Sequence, residues 1–221
     1  MSIVLKDVWK AYNGTNYVLR GINLSVKQGE YVVIQGKSGA GKSTLLRIMG
    51  LLESTTKGDI FVLDKNAGNL SDKEASKIRL NSIGFVFQSL NLIPHLTILE
   101  NLELPLYLAG KSRDERREAV LGLLEKFGMA HLSERYPSET SFGEQQRAAT
   151  IRALVNNPKI ILADEPAAHL DDENTKLLFQ MLESFRRNHE ATIVVTSIND
   201  KEINEGESRY ILSNGVLMKA N

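Results

Sequence analysis

Residues 31–50 read YVVIQGKSGAGKSTLLRIMG, an apolar β-branched run, a glycine-rich turn and a helical pattern in direct succession. The turn, GKSGAGKS from Gly36 to Ser43, has the form G-x-x-x-x-G-K-[ST] in the strand-before, helix-after setting that gives the pattern meaning. Glycines let backbone N–H groups curl around phosphate oxygens, and the start of the following helix adds its positive end. Gly36, Ser38, Gly39, Ala40, Gly41 and Thr44 are therefore candidates for the cradle of a nucleoside triphosphate such as ATP. Lys42 is the candidate to reach the β- and γ-phosphates, and Ser43 to ligate Mg²⁺.

A site of this kind needs an acidic element at the end of another strand. KIILADEP supplies one: Ile160 to Ala163 are apolar, and Asp164 and Glu165 follow. Asp164 would hold the metal through water, and Glu165 would orient or deprotonate an attacking water. Two acids after a strand are common as a solvated turn, and it is the phosphate loop earlier in the chain that gives them a role.

The rest of the pattern alternates. IVLKDVW, VLRGINLSV and YVVIQ read as strands, with Asn13-Gly14 and Gln28-Gly29 as turns. KSTLLRIMGLL reads as a helix, and Ser71 to Glu74 and Ser112 to Glu115 carry the Ser-x-x-Glu signature of helix starts. Residues 83–88, IGFVFQ, read as a buried strand. Val120, Leu123, Leu124 and Phe127 recur at helical spacing in RDERREAVLGLLEKFG. GEQQRAATIRALVNN is then helix, KIILA strand, DENTKLLFQMLESFRRN helix and ATIVVT strand. Such alternation implies an α/β fold, a mostly parallel doubly wound sheet with its ligand at the carboxyl ends of the strands.

Composition limits the partners. The 221 residues and 42% hydrophobic content suit one large domain or two small lobes. Lys plus Arg and Asp plus Glu each number 27, leaving no global excess of positive charge for a nucleic-acid backbone, so no nucleic-acid partner is expected. The absence of cysteine excludes disulfide and thiolate-metal scaffolds and fits a cytoplasmic setting. The start has no secretory pattern, and no window approaches the roughly 18 consecutive apolar residues of a membrane span. Residues 90–108, LNLIPHLTILENLELPLYL, are broken by polar residues and two prolines and read as short amphipathic pieces.

GKSGAGKST, Gln88 in GFVFQ, SFGEQQR, ILADEP and Asp171 in AHLDD occur in an order that resembles an ATP-binding cassette (ABC) ATPase from about Ile3 to Met218. RYPSE, RALVNNPKIILADEP and LIPHLTILENLELPL are similar to the short cassettes of lipoprotein-releasing and macrolide-export transporters. The resemblance implies one domain over residues 1–221: a P-loop NTPase core lobe (1–87 and 158–221) with an N-terminal antiparallel β subdomain, and an inserted α-helical signature lobe (88–157). It implies a sandwich of two cassettes, as homodimer or heterodimer, in which the P-loop of one faces Ser141, Gly143 and Glu144 of the other across ATP. Tyr12 would stack on adenine, with Tyr17 as the competing aromatic. Gln88 would sense magnesium and the attacking water. Residues 91–108 would receive a transmembrane permease, placing the chain on the inner face of a membrane. Asp171 would contact the opposite protomer, cap its own helix, or do both. Gln146 and Arg147 match the tail of the signature and also suit packing or surface positions.

Two departures stand out. Where the family carries Leu-Ser-Gly-Gly-Gln or -Glu, this chain has Thr140-Ser141-Phe142-Gly143-Glu144. If residue 142 needs positive φ, phenylalanine costs roughly 1–2 kcal/mol; if φ is negative, the ring packs outward at little cost. Where the family carries a histidine that meets the γ-phosphate, Ser197 stands, too short to reach without a bridging water. Losing one preorganised donor typically slows chemistry about 10²- to 10³-fold. The expectation is a slow ATPase with Ser197 at its catalytic edge, or else an ATP-gated switch with little turnover. A DNA-repair or translation-factor cassette is disfavoured by the lack of a coiled-coil insertion, second cassette or basic arm. His169 is unusual in its loop and reads either as a surface residue or as a group approaching the opposite site. His95, His131 and His189 have no ligand-like grouping.

Overall fold

In the computed structural model, which describes residues 1–14, 16–198 and 208–220, two sheets and six α-helices share the chain. The elements are β1 (Ile3–Ala11), β2 (Tyr17–Val26), β3 (Tyr31–Gln35), α1 (Lys42–Met49), β4 (Lys57–Val62), β5 (Lys65–Asn66), α2 (Asp72–Ser82) and β6 (Ile83–Val86). There follow α3 (Ile98–Leu108), α4 (Arg113–Lys126), α5 (Phe142–Leu154), β7 (Ile160–Asp164), α6 (Asp172–His189), β8 (Thr192–Ser197), β9 (Ser208–Ser213) and β10 (Val216–Lys219). Among the described residues, no helix is long and apolar enough to cross a membrane.

One sheet is antiparallel, in the order β2-β1-β4-β5, and the other runs β10-β9-β3-β8-β7-β6. In the second, β3, β6, β7, β8 and β9 are parallel and β10 turns back against β9. The expected parallel core is present, and an antiparallel hairpin closes its edge. The central strands are buried on both faces, as parallel strands must be. Val32, Ile34, Leu162 and Val194 face a core shared with α1 and the antiparallel sheet. Val33, Ile161, Ala163, Ile193 and Val195, one residue out of phase, face Leu178, Leu182 and Phe185 of α6. A third cluster joins Leu99 and Leu102 of α3, Val120 and Leu124 of α4, and Ile151 of α5. Leu123 and Phe127, expected on the buried stripe of α4, are only partly covered there.

Helix starts follow local chemistry. The capping boxes at Ser71/Glu74 and Ser112/Glu115 form as expected, and the same device appears at Thr97/Glu100 and Ser141/Glu144. The box at Thr97 explains a difference from the sequence reading: residues 98–108 form one helix through Pro105. The proline removes one N–H from the interior of that helix. At Asn101, 1% exposed, the side chain then knits the preceding turn: Nδ2 donates to the carbonyls of Ile93 (3.1 Å), Leu96 (3.0 Å) and Thr97 (2.9 Å), and Oδ1 accepts from the Ile93 N–H (2.7 Å). Removing such a buried partner leaves groups unsatisfied at about 1–3 kcal/mol. Asn101→Ala is therefore expected to lower the urea midpoint by that amount of stability at unchanged denaturant slope, whereas an unchanged midpoint would show that water satisfies the turn.

Candidate functional site

Strand register assembles the site. Gln35 pairs with Ser197, Asp164 with Thr196, and Val86 with Ala163, so the segments after β3, β6, β7 and β8 leave the sheet side by side. The G-x-x-x-x-G-K-S loop, Gln88, Glu165 and Ser197 thus share the carboxyl end of the parallel strands, where ligands of open α/β sheets bind.

The loop from Gly36 leads into α1. Gly41 has φ of +102°, and a Cβ there would lie 3.0–3.2 Å from Leu19 and Val18, so the chain can turn there only as glycine. Gly36 N–H donates to the Ser197 carbonyl (3.2 Å), and a Cβ at Gly36 would lie 2.5 Å from the Leu212 carbonyl oxygen. Because Gly41 has no side chain to cap α1, no side-chain hydrogen bond closes that helix start.

Lys42, 3% exposed, is drawn inward. Its Nζ donates to the carbonyls of Gly36 (2.6 Å) and Lys37 (3.1 Å) and lies 3.0 Å from Glu165 Oε1. Glu165 itself has φ of +45°, which costs a non-glycine residue roughly 1–2 kcal/mol. Its N–H is held by the Thr196 hydroxyl (3.0 Å) and carbonyl (3.2 Å). The same buried hydroxyl donates to Asp164 Oδ1 at 2.7 Å. Thr196 therefore fixes both acids, a role invisible in the sequence because a threonine inside ATIVVT reads only as strand. Ser43 and Asp164, the residues expected to serve Mg²⁺, both line one narrow cleft, with Phe87 and Arg47. Gln88, two residues past β6, is exposed. Ser197 is 0% exposed at the end of β8.

Neither aromatic candidate is remote from the loop. The Tyr12 hydroxyl bonds to Thr44 Oγ1 (3.1 Å) and Glu53 (2.8 Å), leaving the residue 55% exposed; burial is the first cause pushing that phenol above its usual pKa. Tyr17 sits edge-on to Trp9 and lines an open groove of about 1060 Å³ with residues 36–40 and the β9–β10 turn.

The signature residues lie apart. Among the described residues, no hydrogen bond or ion pair joins Ser141, Gly143 or Glu144 to residues 36–44. Ser141 caps α5: its hydroxyl donates to Glu144 Oε2 (2.8 Å) and accepts from the Glu144 N–H (3.3 Å). The Ser141 backbone N–H (2.8 Å), followed by this hydroxyl, holds the Glu144 carboxyl below its usual pKa. Phe142 is the first helical residue, has no positive φ, and is 42% exposed. The glycine usual at this position is therefore not required by the backbone, and the strained alternative does not apply. Asp171 caps α6, accepting from Asn174 N–H at 2.7 Å, which is the chief reason its carboxyl titrates below the usual range.

These groups suit a nucleoside triphosphate with a divalent cation: a glycine loop at an uncapped helix start, a buried ammonium, and a serine and an aspartate that line one cleft. An ABC transporter domain family matches residues 19–168. An ABC transporter ATP-binding protein of Methanocaldococcus jannaschii is 43% identical over 223 residues, covering 96% of this chain and 94% of that protein. The lipoprotein-releasing system ATP-binding protein LolD of Cytophaga hutchinsonii is 39% identical, covering 99% and 100%. Two solved structures of the same M. jannaschii cassette, one described as dimeric and one as a dimeric post-hydrolysis state bound to ADP and Pi, superpose with TM-scores of 0.90 at 39% identity over 99% of each chain.

Partners that orient metal-site carboxylates are typically worth 10- to 100-fold. Thr196→Val is accordingly expected to slow phosphate release from ATP by that factor, with Thr196→Ser remaining within a few-fold of the parent. Equal rates in all three proteins would remove Thr196 from this account.

Proposed function

The chain belongs to the ATP-binding cassette transporter ATPase family, and from that premise we propose that it binds MgATP, pairs with a second cassette around it and hydrolyses it slowly to drive a separate transmembrane permease. The observation that carries the reading is the Lys42–Glu165 pair, 3.0 Å apart at the carboxyl end of the sheet with Asp164 and Ser43 alongside. A lysine in that position is aimed where terminal phosphates would lie in the glycine loop. A carboxylate beside it can orient water for in-line attack and take its proton, giving ADP and phosphate. Mg²⁺, for which Ser43, Asp164 and Gln88 are the proposed ligands, would neutralise charge on the β- and γ-phosphates.

The cradle is assigned to Gly36, Ser38, Gly39, Ala40, Gly41 and Thr44, and adenine to the Tyr12 side of the site. Ser141, Gly143 and Glu144 would face the nucleotide of the opposite cassette, and there Ser141 must turn its hydroxyl from Glu144 toward phosphate. Asp171 would meet the partner from the start of α6. The proposed lobes are residues 1–87 with 158–221, and 88–157, the latter supported by the separate apolar cluster of α3, α4 and α5. Exposed Ile93, Tyr107 and Leu108 flank the segment that would receive the permease at the inner membrane face. The second cassette is a copy of this chain or a relative.

Ser197 favours low turnover: a buried serine presents no imidazole to the γ-phosphate. Purified protein is expected to release phosphate from ATP slowly, with loss of activity on chelation of magnesium and in Glu165→Gln. Ser197→His should raise the rate at least about tenfold, toward the 10²- to 10³-fold that a preorganised donor is worth. Phosphate release no greater than that of Glu165→Gln would establish the binding switch instead, and an unchanged rate in Ser197→His would refute the role given to that position.

A further inference from the structure

Phe142 and His169 are side chains for which the mechanism above has no task, and they touch each other. Their rings meet edge-on, with centroids 6.0 Å apart and planes at 79°. The contact is one of several between the start of α5 and the segment leading into α6. At Gly143 a Cβ would lie 2.7 Å from the Asn174 side chain, so that amide lies directly over the first turn of α5. Arg147 Nη1 donates to Asn174 Oδ1, and Asn174 Nδ2 donates to both Asp171 oxygens at 3.0 and 2.9 Å. The loop that carries His169 is itself short of slack: Ala168 N–H bonds to the Glu165 carbonyl (3.2 Å) and Leu170 N–H to that of Ala167 (3.1 Å).

We infer that Phe142 and His169 are positioning residues that form a clasp, with Arg147–Asn174–Asp171 as its polar half, fixing the start of α5 against the loop that follows Glu165. A glycine at residue 142 could not make this contact, since it has no side chain to reach the imidazole. His169 thus has an aromatic partner within its own chain. The consequence rests on the composite-site reading: Ser141 would address the nucleotide in the partner's site, whereas Glu165 acts in the chain's own. A clasp between them ties the two sites of a dimer together through one polypeptide.

The test is a double-mutant cycle in a Glu165→Gln background, reading ATP-driven dimerisation by sedimentation and amide exchange at residues 143–145 in the chain without nucleotide. An aromatic pair of this kind corresponds to about 3- to 10-fold in an equilibrium. Phe142→Ala and His169→Ala should each raise the ATP concentration needed for dimerisation by about that factor and speed exchange at those amides, and the double variant should be no worse than the more severe single. His169→Phe, which keeps a ring, should restore parental behaviour, and Asn174→Ala should weaken dimerisation as the singles do. MgATP affinity of the isolated chains should stay within about twofold. Multiplying effects in the double variant, no effect in either single, failure of His169→Phe to restore, or an equal loss of MgATP affinity would each overturn the clasp. If the parent does not dimerise with ATP, the composite-site reading fails and the pattern of exchange alone decides the clasp, in the same sense.

Discussion

A buried ammonium organises this protein. Lys42 is almost fully covered, and a cation so placed must be met by charge and dipoles or it would drive the loop open. Two carbonyls of its own loop and one carboxylate from the neighbouring strand end meet it. That requirement fixes the curl of residues 36–41, for which glycine is needed at Gly36 and Gly41, and it fixes where Glu165 must stand. Glu165 meets the lysine from a backbone with positive φ. That strain is held by the Thr196 hydroxyl and carbonyl on the next strand, so the register of β7 with β8 is part of the site.

The altered signature turn is governed by a different constraint. Helix α5 starts with a capping box, so residue 142 is helical and accepts a side chain without backbone strain, while a side chain at residue 143 would have to displace that of Asn174. The two adjacent positions therefore differ in what they tolerate. The Phe142 ring meets that of His169 edge-on, and the hydroxyl of Ser141 beside it is engaged by Glu144.

Much of this was legible in the sequence because it is local. The glycine loop, the acids after KIILA and the capping boxes at Ser71 and Ser112 depend on residues a few positions apart. Thr97-x-x-Glu100 and Ser141-x-x-Glu144 carry that same signal, obscured in one case by Pro105 and in the other by reading the serine only as a phosphate ligand. Strands β4 and β9 were missed because they are partly polar and are stabilised by the distant strands β1 and β3, and β5 and β10 because each is a short strand that only completes a hairpin with its predecessor. Thr196 and the Arg147–Asn174 bond were illegible because they join residues that only the fold brings within reach, whereas Asn101 bonds to the turn just before it, whose shape the sequence does not specify. The φ of Phe142 required the helix start itself.

In the proposed function the Lys42–Glu165 pair is exchangeable: the carboxylate holds the lysine until terminal phosphates take its place. MgATP affinity measured by equilibrium titration of Lys42→Ala and Glu165→Gln addresses this directly. Neutralising Glu165 should leave affinity equal to or higher than that of the parent, because a competitor for the ammonium is removed, while Lys42→Ala should lose affinity by tenfold or more. Equal losses in the two variants would show that the carboxylate is needed to build the loop, contradicting its assignment to the chemistry.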